Sequence, residues 1–264
     1  RSIGVNEAMT NLVLGLDADD FLCNDCLEKM LKRMSVTNSD VVFQRMVFFD
    51  QDTNKIKYTI PVEEFDMSLE LSGEEAFVRT IGGWQIGFNG GLWRKSIYNK
   101  VPPGKEMNSD ELTFRKRILF ARKVAFCDVN YYMRLHRKST THLISVKLFD
   151  RLIVDHLLEK MVKKIYSEES GIPEKMRKER LINLINHQVL FVKIKTKLNP
   201  SEKSTVHKIL ERCYKNQSFR DLKRELPFHW KIAFLNSYFW FSIGSFFYYI
   251  IKPSKIFCSE LWEK

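Results

Sequence analysis

The sequence has little proline, glycine or cysteine. Its 264 residues include 7 Pro, 11 Gly and 5 Cys, which excludes collagen-like and low-complexity chains. A hydrophobic fraction of 44% excludes a disordered chain and predicts a globular one. One close cysteine pair, Cys23 and Cys26, is weak evidence for zinc without a second pair. The odd cysteine count and the lack of a signal peptide favour a reducing compartment.

The first half of the chain is close to neutral. Residues 1–142 hold 20 basic and 19 acidic residues, whereas residues 143–264 hold 23 and 13. Most of the net charge of +11 therefore belongs to the second half. This distribution argues against a general nucleic-acid binder and predicts an anionic partner for residues 143–264 alone.

The apolar pattern of the first half predicts an α/β fold. The run from Asn11 to Leu16 lacks polar alternation, which is typical of a strand buried on both faces. Helical spacing follows from Leu22 to Met34, and Val41 to Phe43 is a second strand candidate. Strand, helix and strand in succession form a βαβ unit. Further along, the pattern predicts a helix over 110–121 and separate strands over 124–126 and 131–135.

Three carboxylates follow the first predicted strand, at Asp17, Asp19 and Asp20. Carboxylates this close repel one another unless a cation or solvent lies among them. An Asp-x-Asp pair at the carboxyl end of a strand suits Mg²⁺ or Mn²⁺, which bridges to substrate phosphates. The alternative is an acidic turn that caps the next helix, with Asp20 near its start.

Two later segments also carry candidate site residues. Asp110 lies near the start of the predicted helix and is a candidate general base, although Asn108 and Glu111 have the spacing of a capping box. Arg134 and His136 alternate with apolar residues on a predicted strand, a pattern that suits phosphate. A solvated basic edge strand is the alternative for the Arg134 and His136 pattern.

A loop rich in glycine and aromatic residues lies between these motifs. Residues 82–91 include five glycines and Trp84, and Trp93 lies two residues after the end of this range. Such a loop is typical of a ligand site, and Trp84 and Trp93 are its candidate stacking side chains. An ordinary surface loop is the alternative.

The second half is predicted to be helical to about Lys215, with breaks at Gly171 to Pro173 and at Asn199-Pro200. Residues 232–251 then form a stretch of twenty residues without a charge, nine of them aromatic. As one helix this stretch would be about 30 Å long, enough to cross a bilayer. Its serines and aromatic rings favour an interfacial position on an anionic membrane surface. A buried core helix is the alternative.

The motifs together resemble one enzyme family. The segments that carry the resemblance are RSIGVNEAMTNLVLGLDADDFL and NSDELTFRKRILFARKVAFCDVNYYMRLHRKSTTH. In order and separation they are similar to segments of family 2 glycosyltransferases with the GT-A fold, over about residues 1–142. The resemblance implies a partial, Rossmann-like GT-A domain of a nucleotide-diphospho-sugar transferase, followed by a helical tail.

The resemblance also implies roles for individual residues. Asp17 and Asp19 match the family's metal-binding pair, with Mg²⁺ or Mn²⁺ as the cofactor. Asp110 matches the catalytic base of an inverting transfer, and Arg134 and His136 match residues that close over the donor diphosphate.

The implied partners are a nucleotide-sugar donor and a glycan or lipid-linked acceptor, with no nucleic acid. For such an acceptor, we expect the aromatic faces of Trp84 and Trp93 to stack on its sugar rings. The implied setting is capsule, exopolysaccharide or cell-envelope synthesis at the cytoplasmic face of the bacterial cell membrane.

The sequence departs from the family pattern in several places. Ser2, Thr10 and Ser109 stand where Asn, Gly and Glu are usual, and the family's opening strands and nucleotide-base segment do not precede Arg1. We therefore expect a front-truncated GT-A domain over 1–142, a basic helical region over 143–227 and a membrane-associated segment over 228–264. A non-catalytic remnant of the fold and a membrane-surface interaction protein are the alternatives.

Overall fold

The computed structural model describes residues 2–87, 90–101, 109–135, 144–216 and 237–251. The chain divides into two compact units. The first comprises residues 1–105 and 109–142, and the second comprises residues 106–108 and 143–264.

The first unit is built on a mixed sheet with helices. Its described strands are β1 (Leu12–Leu14), β2 (Phe21–Leu22), β3 (Val41–Asp50), β4 (Lys55–Ile60), β5 (Glu70–Leu71), β6 (Leu92–Arg94) and β7 (Val124–Leu135). Its helices are α1 (Ser2–Glu7), α2 (Cys26–Thr37), α3 (Gly73–Val78), α4 (Lys95–Lys100) and α5 (Ser109–Phe120). The main strand order is β1-β6-β3-β7-β2, with β4 beside β3 and β5 beside β7. The predicted α/β class is confirmed.

The strands β1 and β3 run parallel but are not neighbours. The strand β6 lies between them and is antiparallel to both. The predicted βαβ unit therefore exists with one antiparallel strand inserted in it. The predicted strand over 11–16 is shorter than expected, since only Leu12–Leu14 pairs and only Val13 is buried.

The strands β3 and β7 form the long parallel pair at the centre of the sheet. Phe43 pairs with Phe126, and pairing resumes at Arg45 and Asn130. Three residues of β7, 127–129, thus stand opposite Gln44 in a bulge. The prediction of two separate strands, 124–126 and 131–135, was wrong because the chain bulges there without leaving the sheet.

The helix α2 begins four residues later than predicted. Phe21 and Leu22 form β2, which pairs with Tyr132 and Tyr131. The helix then starts at Cys26 and buries Cys26, Met30 and Met34 against the sheet. Asp20 therefore precedes a strand, and the interpretation of Asp20 as a helix cap was wrong.

The second unit is helical, as predicted. Its described α-helices are α6 (Asp150–Ile165), α7 (Ile172–Ile194), α8 (Pro200–Lys215) and α9 (Tyr238–Ile251). Both predicted breaks are confirmed, because α7 follows Gly171 and α8 begins after Asn199. Asn199 and Glu202 form a capping box, in which each side chain accepts from the other's backbone N–H at 2.9 Å.

In the described part of the aromatic segment, residues 237–251, the helix is shorter than a membrane span requires. The helix α9 has 14 residues, which corresponds to about 21 Å. Within the described ranges, no helix is both long and apolar enough to cross a membrane. One face of α9 packs into the core of the second unit, where Phe241 is fully buried beside Tyr214.

Candidate functional site

The acidic segment forms a tight turn between β1 and β2. The backbone N–H of Asp20 donates to the carbonyl of Asp17 at 3.1 Å. Asp17 and Asp20 are half-buried, and Asp19 is exposed. The turn therefore concentrates three carboxylates at one place on the surface of the first unit.

The strand β7 holds this turn through Asp20. The Tyr131 hydroxyl donates to Oδ2 of Asp20 at 2.7 Å, and the Arg134 backbone N–H donates to Oδ1 at 3.1 Å. The same hydroxyl accepts from the Asp17 backbone N–H at 3.3 Å. Asp20 is thus the anchor of the turn, and Asp17 and Asp19 stay the candidate metal ligands.

Burial sets the electrostatics of this anchor. Burial raises the pKa of Asp20 above its usual range, against the opposing effect of the bonds from Tyr131 and Arg134. The neighbouring carboxylates of Asp19 and Asp17 raise this pKa further. Burial and the bond to Asp20 raise the pKa of the Tyr131 phenol as well. The Tyr131 hydroxyl therefore stays protonated at neutral pH and donates its hydrogen bond to Asp20.

The glycine-rich loop lies against the same strand. A Cβ atom at Gly90 would lie 2.3 Å from the Tyr131 ring and 2.5 Å from Nε2 of Gln44. The φ angle of Gly90 is +69°, a conformation that favours glycine. Glycine at this position allows the loop backbone to approach the ring that holds Asp20. The acidic turn, the strand β7 and this loop thus converge at Tyr131.

Trp84 anchors the loop to the helix that carries Asp110. Its ring lies 4.2 Å from the guanidinium carbon of the fully buried Arg115. The Arg115 guanidinium also donates to the hydroxyl and the carbonyl of Thr80, and it pairs with Glu111 at 3.0 Å. Trp84 remains partly exposed. The contact with Arg115 anchors Trp84, and the stacking of its ring on an acceptor stays a prediction.

Trp93 is a core residue. It is 3% exposed, and its ring packs edge-on against Phe43 and Phe114. A sugar ring needs an open aromatic face, so the prediction that Trp93 stacks on the acceptor was wrong. Its place on β6, beside the central strand β3, explains the burial.

Asp110 lies in the first turn of α5 and is exposed. Its Oδ1 accepts from the backbone N–H of Glu111 at 3.1 Å. Glu111, in contrast, is committed to the buried Arg115. The two adjacent carboxylates therefore have different surroundings, one solvated and one neutralised by a buried cation. Asn108, the other half of the suggested capping box, lies outside the described residues.

Arg134 lies at the end of β7 that holds the acidic turn. Its side chain is exposed, and its guanidinium carbon lies 5.5 Å from the centre of the Phe21 ring. Phe21 in turn stacks on Tyr132 at 4.7 Å. Arg134 therefore stands close to the acidic turn, where an anionic ligand would meet both. His136, the second predicted phosphate ligand, lies outside the described residues.

Sequence reasoning did not assign a role to Tyr131 or Gly90. Both lie inside segments that the patterns marked, but their contacts join residues far apart in the chain. In the ranges that the structure covers, no group of three or more His, Cys, Asp or Glu side chains is arranged to hold a metal ion. The Cys26 thiol is fully buried, and burial raises its pKa to about 12.

Sequence comparison shows that the part of the chain with the acidic turn is similar to a known family. Residues 1–101 match the model of the family described as glycosyl transferase family 2. An uncharacterized glycosyltransferase of Haemophilus influenzae is 31% identical over 81 residues. That match covers 31% of this chain and 32% of the relative, so the chain spans about a third of the length of the curated relative.

Structural comparison identifies a similar fold. The crystal structure of S. aureus TarS 1–349 in complex with UDP-GlcNAc matches with a TM-score of 0.56 and 13% identity, covering 94% of this chain and 70% of TarS 1–349. The structure of TarS 1–349 alone matches with a TM-score of 0.58 and 13% identity, covering 95% and 70%. At this identity the likeness shows the fold, a GT-A-type domain followed by helices. Residues 1–101 are thus similar in sequence to glycosyltransferase family 2, and the fold of the chain is similar to that of TarS 1–349.

Proposed function

We propose that this chain transfers a sugar, with inversion, from a nucleotide-sugar donor to a hydroxyl of a glycan or lipid-linked acceptor in bacterial cell-envelope or capsule synthesis. One observation carries the proposal. The acidic turn of the family-matched segment is fixed to the end of β7 by Tyr131 and Arg134. A diphosphate placed there would contact Arg134. The carboxylates of the turn and the diphosphate would repel one another unless a cation lay between them.

The donor side of the site consists of the turn and Arg134. Arg134 is exposed and suits a phosphate oxygen, and His136 remains a proposed second ligand. The UDP-GlcNAc bound by TarS supports this compound as the first donor to test. The contacts of the turn and Arg134 concern the diphosphate alone and do not determine the sugar, the acceptor or the linkage.

Asp17 and Asp19 are the residues that would hold Mg²⁺ or Mn²⁺. The pair fits such an ion because Mg²⁺ usually takes one or two protein carboxylates and completes its shell with water and phosphate oxygens. Asp20 is excluded from this pair by its bonds to β7. When bound, the ion would stabilise the negative charge of the diphosphate leaving group.

Asp110 is the proposed general base. Its carboxylate would accept the proton of the acceptor hydroxyl while that oxygen bonds to the anomeric carbon. The bond from the anomeric carbon to the diphosphate oxygen breaks in the same displacement, and Arg134 binds the diphosphate that leaves. Exposure of Asp110 at the start of α5 allows an acceptor hydroxyl to reach it.

The test compares two adjacent carboxylates. Asp110→Asn is expected to lower kcat by roughly 10²–10⁴ while donor binding persists, because only the proton acceptor is lost. Glu111→Gln is the matched control. Its amide oxygen still accepts from Arg115, so we expect a far smaller loss of kcat and a loss of stability instead.

The measurement is UDP-GlcNAc turnover by the chain at saturating donor, with Mn²⁺ and an acceptor glycan. A larger kcat loss for Glu111→Gln than for Asp110→Asn, in folded protein, would assign the base to Glu111. Equal and small losses would support the capping interpretation of this segment. Donor binding without any turnover would support the non-catalytic alternative.

A further inference from the structure

One helix of the second unit presents two opposite faces of different character. On its inner face, Phe241 and Ser245 are 0% exposed. On its outer face, four aromatic side chains are exposed: Phe239 by 65%, Trp240 by 51%, Phe246 by 42% and Phe247 by 57%. At 100° per residue these four cover an arc of about 120° directly opposite the buried pair. We call them the aromatic face of α9.

The inner face fixes the orientation of the helix. The Tyr238 hydroxyl donates to Oε1 of Gln188 at 3.1 Å, and Nε2 of Gln188 donates to the Ser242 hydroxyl at 3.1 Å. The Phe241 ring stacks on Tyr214 with 5.3 Å between ring centres. Rotating α9 to bury the aromatic face would break these contacts. The aromatic face therefore points outward because the inner face is already packed.

An outward face of this kind is unusual in a water-exposed helix. Outer faces of packed helices are normally charged or polar, whereas residues 238–251 contain no charged side chain. Contiguous apolar patches of this kind mark a contact with a membrane or another macromolecule. Rings of Trp and Tyr settle at the headgroup level of a bilayer, where an in-plane helix lies.

Charge beside the aromatic face decides the occupant. Lys193, Lys195 and Lys197 are exposed at the end of α7 and just beyond it. The ammonium group of Lys195 lies 5.5 Å from the centre of the Phe246 ring. Residues 143–264 as a whole carry 23 basic and 13 acidic residues. A second copy would bring like charges together, whereas anionic lipid phosphates would pair with these lysines.

We infer that the aromatic face of α9 lies on an anionic lipid bilayer, with the helix in the plane of the interface and the three lysines on lipid phosphates. The helix does not need to span, because Phe241 and Ser245 stay in the protein core. This inference is independent of the sugar-transfer proposal, since it concerns the second unit alone.

The first experiment measures cosedimentation of the full chain with vesicles. We expect binding to phosphatidylcholine vesicles that contain phosphatidylglycerol, and weaker binding to phosphatidylcholine alone. Replacing Phe239, Trp240, Phe246 and Phe247 by Ser should weaken binding at least about tenfold. The matched control Val36→Ser/Ile56→Ser removes two exposed apolar side chains of the first unit, 76% and 64% exposed, and should bind as the wild type does.

A second measurement does not depend on the folding of the fourfold variant. The fluorescence difference between wild type and Trp240→Phe reports Trp240 alone, and its emission should shift to the blue with anionic vesicles. Lys193→Gln/Lys195→Gln/Lys197→Gln should remove most of the preference for anionic lipid. An unshifted Trp240, undiminished binding of the fourfold variant, or self-association that this variant abolishes would overturn the inference.

Discussion

The bond between Tyr131 and Asp20 gives a direct test of how the acidic turn is held. Tyr131→Phe keeps the buried ring and removes the hydroxyl that donates to Asp20 at 2.7 Å and accepts from Asp17 at 3.3 Å. A hydrogen bond to a charged group contributes about 1.5–3 kcal/mol. Asp20 is only half-buried, so water will replace part of the lost bond. We therefore expect the free energy of unfolding to fall by about 2 kcal/mol.

The adjacent tyrosine is the control. The Tyr132 hydroxyl accepts from Nδ2 of Asn130 at 3.2 Å, a bond between neutral groups. Tyr132→Phe makes the same chemical change one residue along β7, and we expect a cost of about 0.5–1.5 kcal/mol. Urea unfolding monitored by circular dichroism measures both variants under the same conditions. Equal losses in the two variants would show that the hydroxyl of Tyr131 does not hold the turn.

The cost of Tyr131→Phe should depend on pH. The bond favours ionised Asp20, so its removal raises a pKa that burial already holds above the usual range. The wild type therefore gains stability relative to the variant as Asp20 ionises with rising pH. The difference between their free energies of unfolding shrinks as pH falls through the range in which Asp20 takes up its proton. A difference that stays constant across this range would remove Asp20 from the explanation.

Two further predictions concern the metal and the second unit. In calorimetric titration of Mn²⁺ with nucleoside diphosphate present, Asp19→Ala should weaken Mn²⁺ affinity at least roughly tenfold, since even outer-shell partners of metal ligands contribute about that much. The control Asp52→Ala, in the β3–β4 turn, should leave the affinity unchanged. Equal affinities of wild type and Asp19→Ala would remove Asp19 from the site. Burial lowers the pKa of His187 to about 4, so as pH falls the unfolded chain protonates this histidine before the folded chain does. The free energy of unfolding should therefore fall by up to about 3 kcal/mol as pH falls from about 6.5 to about 4. His187→Gln should remove this pH dependence, whereas the control His207→Gln, at an exposed position, should keep it. A pH profile of His187→Gln that matches the wild type would show that His187 does not cause the dependence.

The sequence predicted those elements that depend on local pattern. The turn at Asp17 to Asp20, the helix start near Asp110 and the breaks before α7 and α8 are all marked by short-range signals. Pro173 in the first turn of α7 and the Asn199 cap of α8 are examples. In each case the residues that decide the structure are within a few positions of one another.

Long-range packing decided the rest. Aromatic composition alone could not distinguish Trp93, buried beside Phe43, from Trp84, which is partly exposed. Asp128 and Asn130 are typical turn residues, and they concealed the continuity of β7. The start of α2 depends on Phe21 pairing with Tyr132, more than a hundred residues away. None of these contacts leaves a periodic signal in the sequence.

The bulge in β7 limits how this region can change length. Between Phe126 and Asn130, β7 has two more residues than the facing part of β3. Because side chains alternate with a period of two, an excess of two leaves Tyr131 on the face that reaches Asp20. An insertion or deletion of one residue here would turn Tyr131 away from Asp20 and detach the acidic turn. We therefore expect functional relatives to differ in length at this position by two residues or none.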